Sequence, residues 1–186
     1  MQQPIRTLNA ANISAILEAF TESIAPVGSS IQGLTGVSLL TALKRKQVGL
    51  GPYPSVTLFE AANRIMSDLV ILHGIAGLLK LQAFPFTEYT VEFGNEDKNG
   101  FDIRATSDSC SLAGEAFNVA PSFFHSKKAS ALKKLRSKAA DSTHRIIMFN
   151  AGAPSPRYSA RHEPGIYYVC VDINSGDIEI TPRLPT

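Results

Sequence analysis

The feature that most constrains this chain is a change of hydrophobic period at Phe84-Pro85. Helical spacing and strand alternation cannot substitute for one another, because side chains repeat every 3.6 residues in one and every two in the other. Before the change, Ile13, Ile16, Leu17, Phe20 and Ile24 mark a helix that Pro26-Val-Gly28 ends. A second helix is expected over 35–46 with Val37, Leu40 and Leu43 inward, its last turn Lys44-Arg45-Lys46 complementing the negative helix end. After the turn-rich connector 49–54, a long helix is expected over 55–80, with Phe59, Ala62, Met66, Leu69, Val70 and Ala76 on one side. Beyond Pro85, residues 87–93 alternate as a strand and 95–100 form a polar turn. Strands over 101–106 and 111–119, a helix over 122–140 and a strand over 145–150 follow. A loop rich in Pro and Arg leads to a final hairpin, 166–173 with 178–181, turning through Asn174-Ser-Gly176. This order predicts an α/β fold, a mixed central sheet flanked by helices. A chain of 186 residues fits one domain, with 1–54 as a helical N-terminal extension and 55–186 as the core.

The net charge of +2 excludes nothing, but its distribution is uneven. Up to Pro52, four basic and two acidic residues give +2; from Tyr53 to Ala120, four basic and nine acidic give −5; from Pro121 on, ten basic and five acidic give +5. An acidic middle and a basic end suit a cation site beside a phosphate-binding surface, although chance segregation gives the same imbalance. Cys110 and Cys170 sit in apolar strand-like contexts without metal-ligand spacing, as buried hydrophobes do. No charged-then-apolar segment opens the chain, and the apolar run 69–79 is short for a bilayer and carries His73. The expectation is a cytoplasmic protein with no membrane contact.

Several motifs fail on context. Gly28–Thr35 reads GSSIQGLT, but Leu34 stands where a P-loop needs its lysine, and the segment follows a helix rather than a strand. Gly165-Ile-Tyr-Tyr168 is similar to the opening of a GIY-YIG nuclease, yet only eighteen residues follow it. The four histidines lack zinc spacing, and no serine sits in a nucleophile elbow.

One constellation remains. Asp102 and Glu115 lie on successive strands, and a two-residue loop at Asp108-Ser109 makes cross-strand partners sum to 217, which sets Asp102 opposite Glu115. Facing carboxylates repel unless something compensates. Magnesium is a natural compensator, being a hard cation that prefers oxygen ligands; two carboxylates pointing to solvent at an edge are the plain alternative. A helix with an acidic residue, three strands bearing an Asp and then a Glu, and a following helix resemble the PD-(D/E)XK superfamily, the restriction-endonuclease-like fold. The resemblance covers roughly 55–150.

That resemblance implies magnesium- or manganese-dependent cleavage of DNA by an endonuclease, with Asp102 and Glu115 as metal ligands and Glu60 supporting them. Glu60 also completes a capping box with Thr57. The family usually has lysine two residues after the glutamate, where this chain has Phe117. Lys128 falls on the buried stripe Phe124, Ala131, Leu132, Leu135 and Ala139, and is the first candidate for a migrated catalytic lysine, with Lys127 second; snorkelling to water is its ordinary alternative. Lys127, Lys134 and Lys138 form a neighbouring stripe that suits nucleic-acid phosphates, as does any solvated helix face. A homodimer is the implied arrangement where both strands are cut. Phe117 leaves open a nuclease fold without catalysis that binds nucleic acid or a protein partner.

Overall fold

A computed structural model describes residues 6–94, 100–156, 158–159 and 162–184; the expected turn over 95–100 lies, but for Gly100, outside them. The elements run β1 (Arg6–Asn9), α1 (Ile13–Ile24), α2 (Gly36–Arg45), α3 (Leu58–Lys80), β2 (Glu88–Val91), β3 (Ile103–Thr106) and β4 (Ser111–Phe117). They continue with α4 (Pro121–Lys138), β5 (His144–Asn150), β6 (Ile166–Val171) and β7 (Ile178–Thr181). All seven strands form one mixed sheet in sequence order. Neighbours are antiparallel except β4 with β5 and β5 with β6. The α/β class is thus as the sequence reads, and the helix that separates β4 from β5 is what a parallel pair requires. The N-terminal segment is not helical throughout, because β1 pairs with β2 at the sheet edge and contributes the fully buried Leu8. Arg6-Thr-Leu-Asn9 holds a single apolar residue, so no alternation shows in the sequence.

The sheet is covered on both faces. α3 packs across β4 to β7 on one face, over a core that includes Ile103, Leu112, Ile146, Met148 and Val171. α4 packs over β4 and β5 on the other, over Ala113, Phe117, Ile147 and Phe149. Its buried residues Phe124, Ala131, Leu132 and Leu135, with Ala139 just beyond, are those the stripe predicts. Gly74 and Gly77 let α3 approach closely: a Cβ on Gly74 would stand 2.5 Å from Met148 Sδ, and one on Gly77 2.7 Å from Ile178 Cδ1.

The expected inward face of α3 is displaced. Phe59 and Ala62 are exposed, while Leu58, Ala61, Ile65, Asp68, Leu72 and Ile75 are buried. With the sheet on one side and α1 and α2 on the other, the helix has no wide solvent face to reveal its orientation. At 23 residues it is long and apolar enough to cross a membrane, but here its apolar side chains meet the protein's own core. α2 differs from expectation in the opposite sense. Val37 is 79% and Leu40 63% exposed, and α2 rests on α3 through Leu43 and its neighbours. Lys44 lies 3.5 Å from the Phe59 ring centroid, and Lys46 Nζ donates to Ser30 O, so part of the basic cluster is locally engaged.

Candidate functional site

The β3–β4 hairpin sets the geometry. Thr106 pairs with Ser111, and Ser107 N–H donates to Cys110 O, so the loop is the two residues Asp108 and Ser109. Pairs run from Thr106↔Ser111 to Ile103↔Gly114, all obeying the expected register, and Asp102 stands one residue beyond the last pair. Asp102 stands just before β3, where its backbone carbonyl accepts from Glu92 N–H at 2.9 Å. Its Oδ2 accepts the Ala116 N–H at 2.7 Å, taking up a strand donor beyond the last ladder pair. Glu115 Oε1 lies 2.9 Å from Lys134 Nζ. Each carboxylate thus has a compensating partner of its own, an ammonium at Glu115 and a backbone N–H at Asp102. Burial raises the Asp102 pKa above the usual carboxylate range; the Ala116 hydrogen bond, Lys134 and Lys127 oppose the rise, and Glu92 adds to it.

Asp102, Glu115, Phe117, Lys127, Ser130 and Lys134 line one cavity of about 380 Å³ between β4 and α4. Lys127 and Lys134 are seven residues apart, hence on one stripe of the helix. Lys138 continues the stripe outward and is exposed. Lys128 is turned away. Its Nζ lies 3.4 Å from Tyr158 Oη and 4.7 Å from that ring's centroid, with Phe124 and Tyr168 centroids each at 5.8 Å. Each helical residue advances about 100°, so Lys127 and Lys128 cannot serve the same cavity. Burial lowers the Lys128 pKa, with Glu163 opposing. The first candidate for a migrated lysine is thus absent from the carboxylate cavity, and the lysine in contact there is Lys134, which the sequence assigned only to phosphate binding.

Glu60 likewise stands apart. It occupies the first turn of α3, where its N–H donates to Thr57 Oγ1 and its carboxylate pairs with Arg64 at 2.6 Å. The acidic residue of α3 that approaches the strands is Asp68, two turns on and only 1% exposed. Tyr53 O–H donates to its Oδ2, and Gly94 N–H donates to its Oδ1 at 3.0 Å. Burial pushes its pKa up to about 7; those two hydrogen bonds and Arg64 pull it down, and Asp102 adds to the rise. A signal was present in the sequence, since Asp68 interrupts the apolar run Ile65–Leu72.

Phe117 is 2% exposed, 6.1 Å from Phe149 in a stacked arrangement and 6.4 Å from Phe124. The position where the resembled superfamily carries its lysine is therefore part of the core. Among the described residues, no three His, Cys, Asp or Glu side chains gather to hold a metal ion. Two carboxylates on one open cavity still suit a cation that keeps most of its waters, as magnesium does. No protein-family model matches this chain, and no curated protein matches it.

Proposed function

We propose that the chain is a divalent-metal-dependent phosphodiesterase acting on DNA, an endonuclease of restriction-endonuclease-like organisation in which Lys134 replaces the lysine missing at position 117. One juxtaposition carries this reading: Lys134 Nζ stands 2.9 Å from Glu115 at the cavity that Asp102 and Lys127 also line. Asp102 and Glu115 would hold magnesium or manganese, whose chemistry there is to acidify a water and to neutralise charge on the phosphate. The chain's own residues do the rest. Ala116 N–H fixes one Asp102 oxygen, which leaves the carboxylate oriented before any ligand arrives. Lys134 carries a compact charge with three donors on a flexible stem, so it can leave Glu115 for an anionic phosphate oxygen. Lys127 is exposed at the rim and Lys138 further out, where both meet the flanking backbone. Glu60 takes no part. The exposed Val37 and Leu40 of α2 suit the pairing of two copies by which both strands are commonly cut.

The test is cleavage of plasmid and single-stranded DNA with magnesium or manganese, beside calorimetry with the metal alone. Asp102→Ala and Glu115→Ala should remove both metal binding and cleavage. Lys134→Ala should keep metal binding and lower the rate on the order of a hundredfold or more. A wild type that neither cuts nor takes up metal sinks the enzyme.

A second reading has its own support. Phe117 is packed into an aromatic core, and no third metal-ligating side chain joins the two carboxylates among the described residues. Both suit a nuclease fold kept for binding nucleic acid or a protein partner. DNA binding that persists without metal or cleavage favours this reading.

A further inference from the structure

A second pocket, of about 390 Å³, opens beside the carboxylate cavity and shares Phe117, Lys127 and Ser130 with it. It lies between α3, the β4–α4 connection and the first turns of α4, and its other walls include Asn63, Asn118 and Phe123. Phe123 is 63% exposed, although a helix in this position could bury its aromatic residues as it does Phe124. The connection beneath is held firmly. Val119 N–H donates to Asn150 Oδ1 at 3.0 Å and Val119 O accepts from Asn150 Nδ2 at 3.3 Å. Asn118 N–H donates to Ser67 Oγ at 3.4 Å, which ties the connection to α3. The backbone of Asn118 is thus fixed, while Asn118 and Asn63 both line the pocket with amide-bearing side chains. One wall therefore offers an aromatic face, another offers amide donors and acceptors, and a lysine stands where the pocket meets the carboxylates.

We propose that this pocket is a nucleotide subsite, which takes one unpaired nucleotide of the strand whose phosphate lies at Asp102 and Glu115. The inference rests on reading the carboxylate cavity as a phosphodiester site. The base stacks on Phe123, the amides of Asn63 and Asn118 meet its polar edge, and Lys127 contacts the phosphate that joins the two cavities. Aromatic stacking recognises bases only where they are free of a duplex, and Asn-type amides match the donor and acceptor edges that an unstacked base presents. The pocket's size lies in the range of small-molecule sites. Single-stranded or locally unpaired DNA is then the favoured substrate, rather than an intact duplex.

The experiment is fluorescence anisotropy of the full chain in chelator, so that nothing is cut. The probes are a short single-stranded oligonucleotide, the duplex of the same sequence, and the same strand with abasic positions. The intact single strand should bind roughly tenfold more tightly than the abasic strand, the order of one stacked base. Phe123→Ala should remove that preference and Phe123→Trp should keep it. Lys127→Ala should weaken all three probes about equally and flatten their salt dependence. Equal binding of intact and abasic strands, tighter binding of the duplex, or indifference to Phe123→Ala overturns the subsite. A cleavage assay with metal separates this from the reading beneath it. Cleavage that ignores Phe123→Ala keeps the nuclease and removes the subsite; base-dependent binding without cleavage removes the nuclease and keeps the subsite.

Discussion

Two carboxyl sites lie at the same end of the sheet and manage buried negative charge in opposite ways. Asp102 and Glu115 open onto a cavity, where Lys134, Lys127 and the Ala116 N–H supply positive charge and a donor. Asp68 is sealed under α3 with Tyr53 and Gly94, and burial moves its pKa up to about 7. A proton does for Asp68 what an ammonium does for Glu115. The difference follows from access: a cavity admits a mobile cation, whether lysine, metal or water-borne ion, whereas a closed interior admits only the proton. The open pair is equipped to exchange partners, and the closed one to hold the connection after β2.

This contrast can be broken most sharply at Asp68. Its pKa in the folded chain lies above its unfolded value, so the folded state binds the extra proton between about pH 4 and pH 7. Stability from this group is therefore greatest at the acid end of that window, falls as pH rises through it, and levels off above about 7. The fall is at most about 4 kcal/mol. Asp68→Asn should flatten it, read as urea midpoints from pH 4 to pH 8. An unchanged slope would show that Asp68 is charged in the interior.

Next in size is Phe117→Lys, which returns the usual residue of the resembled family to its position. The ammonium would displace a ring stacked on Phe149, at a cost of about 3 kcal/mol in urea unfolding. A smaller loss would mean that the open cavity beside residue 117 extends far enough to hydrate a cation.

The two lysines of α4 give the third comparison. Lys134→Ala leaves Glu115 without its ammonium in the cavity it shares with Asp102, and under the nuclease reading it lowers cleavage far more than it lowers stability. Lys128→Ala removes a cation among the rings of Tyr158, Phe124 and Tyr168, costing about 1 kcal/mol while leaving cleavage unchanged. Loss of cleavage in a folded Lys128→Ala protein would reverse the assignment. The smallest effect is expected at Lys138, exposed at the outer end of the stripe. Under the nuclease reading Lys138→Glu should weaken DNA binding severalfold and reduce the slope of log affinity against log salt by roughly one, since one phosphate contact is lost.

The sequence by itself determined the element order from α1 to β7, the α4 buried stripe and the 217 register of β3 with β4. Those features are local: a period of 3.6 or two, or a two-residue turn, is written in neighbouring residues. β1 escaped because its one apolar residue, Leu8, makes no alternation, and the inward face of α3 escaped because that helix is covered on both sides. Only the tertiary structure decided which charges meet. Spacing separates Lys128 from the stripe of Lys127 and Lys134, but only the packing sends Lys128 to Tyr158 and brings Lys134 to Glu115. Asp68 and Glu60 are likewise separated only by two turns of α3, one beneath Gly94 and the other paired to Arg64 at the surface. Spacing along the chain fixes which side chains share a stripe; what that stripe faces is set by the packing of helix on sheet, and with it the charge each carboxylate can find.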